Sequence, residues 1–255
     1  MKRVLLAVAA AVGVVVIGFV GVMASAFMGN KPMPDGEELP GGARRVNDGY
    51  TSAYVLPLSN GKVALVDCGN DVEATALLAE LKRRNLDASA VAAVFVTHGH
   101  PDHIGGCKKF PGAQVFVGEG DQHLVDGTAA ANGPLPHVMG PQPKLALPDA
   151  HVVKEGQTIE LPGLSARVFV IPGHTAGSAA YLVNGALFMG DSMGVSTKDT
   201  LRPAPWLFSD DQSQNVASLK RLGALLKPEE GTVKVIVPAH TGSATGLSVL
   251  SNFAG

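Results

Sequence analysis

The chain has 255 residues, 46% hydrophobic and 16% charged, enough to bury a full core as one domain with additional segments. Its 31 glycines suit a loop-rich scaffold better than a helical bundle. Against 22 acidic residues stand 20 basic ones, or 18 without Lys2 and Arg3, so no basic face for a nucleic-acid partner is expected.

Lys2 and Arg3 precede an uncharged run, residues 4–30, dominated by Val, Ala, Ile, Leu and Gly. At about 1.5 Å per residue it is long enough to cross a bilayer. A signal peptide is the alternative, since Ala24-Ser25-Ala26 has the small-x-small pattern of a cleavage site. The run exceeds the roughly 7–15 apolar residues of a signal-peptide core, which favours one uncleaved N-terminal transmembrane helix. Both readings keep Lys2 and Arg3 in the cytoplasm. They put the remainder on the extracytoplasmic side, membrane-anchored, or periplasmic or secreted after cleavage.

Residues 31–45, rich in Pro, Gly and charge with no periodicity, read as a linker between the membrane segment and a folded domain at 46–250. Residues 51–58 and 62–67 flank Asn60-Gly61 and predict two antiparallel strands. After Asp67, Asn70 and Asp71 are caps for an amphipathic helix to about residue 85, with Ala74, Leu77, Leu78 and Leu81 on one face. Strands follow at 94–96 and 114–117. Residues 126–150 hold five prolines and three glycines and show no sustained period, which reads as a substrate lid or a solvated excursion. Further strands are predicted at 151–153, 157–160, 164–170 and 233–237, with a hairpin of 181–183 and 186–189 around Asn184-Gly185. A second helix spans 210–226, capped by Ser209 or Asp210.

The chemistry concentrates in Val91 to Gly106, VAAVFVTHGHPDHIGG, where His98, His100, Asp102 and His103 follow an apolar strand on a loop bounded by Pro101 and Gly105-Gly106. Three imidazoles and a carboxylate within six residues suit a divalent transition metal. Side chains this close in sequence diverge in direction, so two adjacent metals fit better than one tetrahedral site. Three more residues leave the ends of apolar strands at Gly or Pro turns: His174 in IPGHTAGS, Asp191 in FMGDS and His240 in VPAHT. His123, His137 and His151 read as surface or loop residues. Met193 to Phe208 carries Arg202, Trp206 and Phe208, either as pocket lining or with the lone Trp filling a core gap.

The run Thr97, His98, His100, Asp102, His103, Gly105, Gly106 resembles the THxHxDHxGG signature of the metallo-β-lactamase superfamily, with the resemblance covering about residues 46–245. It implies an α/β (α+β) fold, a four-layer αββα sandwich with one or two metals in a cleft between its sheets. It also implies a division of ligands: His98, His100 and His174 for a first metal, Asp102, His103 and His240 for a second, and Asp191 bridging both. Asp67 is the candidate to fix the tautomer of a ligand imidazole. Cys68 and Cys107 both lie beside the metal loop in that fold. By default they are two small buried side chains, with a disulfide as the alternative.

Two Zn²⁺ against Asp102, Asp191 and a bridging hydroxide leave a net positive centre that attracts an anionic small-molecule substrate. Metal lowers the pKa of bound water towards about 7, which supplies hydroxide as nucleophile, with His98 and His100 holding the metal and Asp102 orienting the nucleophile. An aspartate at 191 disfavours the β-lactamase branches that carry cysteine or serine there, and IPGHTAGSAAYL with LFMGDS looks most like the glyoxalase II-like group. Ser178 stands where that group commonly has a second histidine, and with 15 residues after His240 its C-terminal glutathione-binding domain is not expected. The expected function is a di-zinc hydrolase of a small ester, thioester, lactone or lactam. Two alternatives remain: a mononuclear Fe²⁺ persulfide dioxygenase using His98, His174 and Asp191, and a metal-binding module without turnover.

Overall fold

The computed structural model describes residues 13, 14, 18 and 20–255, and the chain divides into two units, 1–30 and Lys31–Gly255. Most of the expected membrane span lies outside the described residues. Among those described, no helix is long and apolar enough to cross a membrane.

In the larger unit the chain alternates strands whose residues are buried on both faces. The first sheet has the order β1 (Glu38–Leu39), β2 (Ala43–Asp48), β3 (Thr51–Pro57), β4 (Val63–Val66), β5 (Val91–Phe95), β6 (Gln114–Gly118), β7 (His151–Val153). It is antiparallel from β1 to β4 and parallel from β4 to β7. The second sheet uses β8 (Thr158–Leu161), β9 (Leu164–Val170), β10 (Ala179–Val183), β11 (Ala186–Gly190), β14 (Val235–Pro238) and β15 (Ala244–Thr245), in the order β15-β14-β11-β10-β9-β8. A ribbon of β12 (Met193–Val195) and β13 (Leu201–Pro203) stands apart.

Period-two alternation explains the layers. Tyr54, Leu56, Ala64, Val66 and Phe95 of the first sheet meet Val168, Tyr181, Val183, Phe188 and Val237 of the second in one core. Their neighbours Val55, Leu65 and Val94 point the other way, onto Leu77 and Leu81 of the helix Thr75–Arg83. On the far side Phe169, Leu182, Leu187 and Ile236 pack on Leu219, Leu222 and Leu226 of the helix Gln212–Leu226. The result is helix, sheet, sheet, helix, the four layers expected, because a strand flanked on both faces is apolar at every position.

Several expectations need correction. Residues 31–45 are more than a linker: β1 and the start of β2 lie there, and Arg45 is buried with bonds to the carbonyls of Pro238 and Thr241 and the hydroxyls of Ser52 and Ser243. The Pro/Gly-rich stretch hides a two-residue edge strand that pairs Glu38 with Arg44 and Leu39 with Ala43 across the Pro40–Gly42 turn. The N-cap of the second helix is Asp211, whose carboxylate accepts from Gln214 N–H at 2.9 Å. Asp210 instead accepts from Asn132 and Gly133 N–H. Cys68 and Cys107 form a disulfide, with Cα atoms 5.2 Å apart. The lone Trp206 is 56% exposed and fills no core gap.

Candidate metal centre

Each of the seven candidate ligands lies beyond the C-terminal end of a strand, Asp102 and His103 on the one-turn helix Pro101–Ile104. His98, His100, Asp102 and His103 follow β5, His174 follows β9, Asp191 follows β11 and His240 follows β14. Buried tyrosines hold the approaches: Tyr181 donates to Val96 O at 2.9 Å and Tyr54 to Pro238 O at 2.7 Å, each two residues before a ligand. Strand ends are rigid, so side chains aimed from them keep their direction.

The structure gathers these seven into two adjoining clusters. His98, His100 and His174 form one, and Asp102, His103, Asp191 and His240 the other, with ligand atoms in each within 4.8 Å of one another. In the first, His98 Nε2 lies 3.0 Å from His100 Nδ1 and 3.2 Å from His174 Nε2. Three ring nitrogens converge, and with the Nδ1 protons of His98 and His174 directed at Thr97 and Ser209 their Nε2 lone pairs face each other without a donor, an arrangement a cation satisfies and a hydrogen-bond network does not. In the second, His103 Nε2 and Asp191 Oδ1 lie 3.2 Å apart, yet both are buried without a hydrogen-bond partner. Atoms turned toward a common point rather than toward each other fit two ligands of one ion. Asp191 spans the pair: its Oδ2 is 2.9 Å from His240 Nε2, 3.7 Å from His174 Nε2 and 4.0 Å from His98 Nε2.

Neighbours set the tautomers. Thr97 Oγ1 donates to Asp67 and accepts from His98 Nδ1, Asp67 Oδ2 accepts from His103 Nδ1 at 2.9 Å, Ser209 Oγ faces His174 Nδ1 and Tyr50 O accepts from His240 Nδ1. In all four rings Nε2 is left for a ligand. Asp67 therefore has the role expected of it. Thr97 and Ser209 in this role, and Tyr50, are found only in the structure. Tyr50 stacks on His240, with centroids 5.8 Å apart, and the cue for its place is the hairpin pair Asp48-Gly49 before it. His123, His137 and His151 are exposed, as expected.

Electrostatics separate the clusters. Burial, then the neighbouring imidazoles, holds His98 well below its ordinary pKa and His174 down at about 3, so the ring nitrogens are neutral lone-pair donors. In the second cluster burial opposes every charge and is outweighed. Asp191, Asp102 and Asp67 hold His103 well above its ordinary value, and Asp191 with Asp102 lifts His240 to about 10. Conversely, His103 and His240 bring Asp102 down to about 2.

Sequence and fold comparisons agree with this geometry. The model of the metallo-beta-lactamase superfamily matches residues 46–240. Hydroxyacylglutathione hydrolases of Cupriavidus taiwanensis and Photobacterium profundum are 32% and 31% identical, over 69% and 72% of this chain and 60% and 59% of their own length. The chain thus spans about 60% of these relatives. Among solved structures, a B3 metallo-β-lactamase with an active-site glutamic acid superposes with TM-score 0.66 at 20% identity, over 91% of this chain and 89% of that one. The subclass B3 enzyme of Bradyrhizobium japonicum gives 0.63 at 19%, over 85% and 81%. Motif, four-layer fold, clustered ligands and family match together make this chain a member of the metallo-β-lactamase superfamily.

Proposed function

We propose that the chain is a metal-dependent hydrolase of a small acyl compound, with a thioester first and an oxygen ester, lactone or lactam after it. The observation that carries this reading is Asp191, which reaches both clusters from one carboxylate. The name of the hydroxyacylglutathione hydrolases puts the thioester first.

Two zinc ions would be held by His98, His100 and His174, and by Asp102, His103 and His240, with Asp191 common to both. When bound, zinc supplies Lewis acidity and lowers the pKa of water from 15.7 towards about 7. In the overall reaction the water oxygen bonds to the acyl carbon, the carbon–sulfur bond breaks, and a water proton leaves with the thiol. Asp102 is the group placed to hold that proton. It is half-buried, ionised at neutral pH, and its Oδ2 lies 3.4 Å from His240 Nε2, so it is an acceptor at the rim of the cluster. Asp67, Thr97 and Ser209 keep the imidazoles oriented.

Export of the domain, with residues 4–30 as a membrane tether, belongs to the same proposal. Lys2, Arg3 and the apolar run support it, as does the Cys68–Cys107 disulfide, a bond that persists in oxidising compartments.

Elemental analysis of the protein purified without added metal, with turnover of thioester, lactone and β-lactam panels, tests the reading. The expected result is about two zinc ions per chain and thioester turnover, reduced by about 10²-fold or more in Asp102→Asn. One iron per chain with oxygen uptake on a persulfide would overturn it in favour of a dioxygenase.

A further inference from the structure

Asp121 lies at the turn after β6, is 0% exposed, and has no place among the candidate ligands. Three donors converge on its carboxylate. Gly99 N–H and Thr175 Oγ1–H reach Oδ2 at 2.8 and 2.7 Å, and Gly177 N–H reaches Oδ1 at 2.7 Å. Gly99 sits between His98 and His100, and Thr175 directly follows His174. One carboxylate thus bonds both loops whose imidazoles make up the three-histidine cluster.

Backbone contact reinforces the link. A Cβ on Gly118 would stand 2.0 Å from Gly177 O, one on Gly120 2.4 Å from Ala176 C, and one on Gly177 2.2 Å from Asp121 N. The turn around Asp121 therefore presses directly on residues 176–177, and only glycine allows that approach. Ser178 completes the set: its Oγ accepts from Thr175 N–H at 3.0 Å and lies 2.8 Å from Thr175 Oγ1. With the Thr175 hydroxyl proton given to Asp121, Ser178 is the donor in that second contact.

We propose that Asp121 is a positioning residue: it sets the spacing between the His98–His100 loop and the His174 loop, and through it the affinity of the three-histidine cluster for metal. An acceptor-only group is required, because each oxygen faces at least one N–H. Asparagine, in either amide orientation, turns its NH₂ toward a backbone donor. The proposal rests on the metal-centre reading and goes beyond it to a residue that touches no ligand.

The test is zinc titration of the full chain against a competing chelator, with ring-nitrogen signals of ¹⁵N-labelled histidines identifying which cluster fills. In Asp121→Asn, affinity at His98, His100 and His174 is expected to fall by about 10- to 100-fold, the scale seen when outer supports of a metal site are removed, with the second cluster near its wild-type value. Equal filling of both clusters at wild-type affinity, even with a lowered Tm, would overturn the proposal and leave Asp121 a merely structural residue. If Asp121→Asn does not fold, Thr175→Val removes one donor of the three. A loss of about fivefold confined to the same cluster is then expected, and unchanged affinity would overturn the proposal. A wild-type chain that takes up no zinc would overturn the metal-centre reading itself, and this inference with it.

Discussion

The two clusters share Asp191, whose Oδ2 reaches toward both, and almost nothing else. His98, His100 and His174 are buried, with hydroxyls behind His98 and His174 and with Asp121 bonded to the loops that carry all three. Asp102, Asp191 and His240 are half-buried, and their cluster pairs two carboxylates with two imidazoles whose pKa those carboxylates raise. A neutral, dry cluster offers lone pairs at no protonation cost, whereas a charged one must exchange protons for metal. On the proposed function the first cluster would hold metal and the second, at the rim beside Tyr50, would handle protons.

The strongest way to break this contrast is to remove what the clusters share. Asp191→Ala is expected to cut kcat/KM by about 10³-fold or more, since it leaves both sites short of a ligand and several kcal/mol of charge stabilisation is lost. If activity stayed within a few-fold, the two clusters would not be one centre. Next in size is the disulfide, which joins Cys68, whose N–H donates to His103 O at 2.7 Å, to Cys107 beyond the motif. Closing a loop across 39 residues stabilises by about 4 kcal/mol on a chain-entropy basis. Cys68→Ala with Cys107→Ala should therefore lower urea stability by that order. The contrast requires the second cluster's metal affinity to fall more than the first's.

Ser209→Ala sharpens the comparison from the other side. It removes the acceptor facing His174 Nδ1, so about tenfold weaker zinc binding at the three-histidine cluster is expected, with the second cluster unchanged. Calorimetry in buffers of differing ionisation enthalpy gives the smallest signal. His103 lies well above its ordinary pKa and His240 at about 10, so at pH 7.5 both hold a proton that zinc displaces. About two protons released at the second cluster and none at the first are expected. As the pH rises through 10 the His240 proton is lost anyway and its share of the release disappears. Release from the first cluster would contradict the neutral assignment of His98 and His174.

The candidate ligands were legible one at a time because a metal ligand must be His, Asp or a similar donor, and each stands where an apolar strand meets a turn. Asp67 was legible for the same reason. The four layers were expected from the resemblance that the motif carries, and strands apolar on both faces with helices apolar on one are what such layers require. What sequence could not supply was whatever depends on a distant partner. The edge strands β1 and β15 have weak local signals and exist because a sheet pairs with them. Asp210 has the composition of a cap, but bonding to Asn132 and Gly133 removes it from that role. Asp121 sits in an unremarkable GEGD turn, and only tertiary contact brings Gly99, Thr175 and Gly177 onto its carboxylate. Local chemistry determined which residues are able to bind metal. Folding decided which of them cluster and what holds them in place, because those are properties of distances between loops rather than of any one loop.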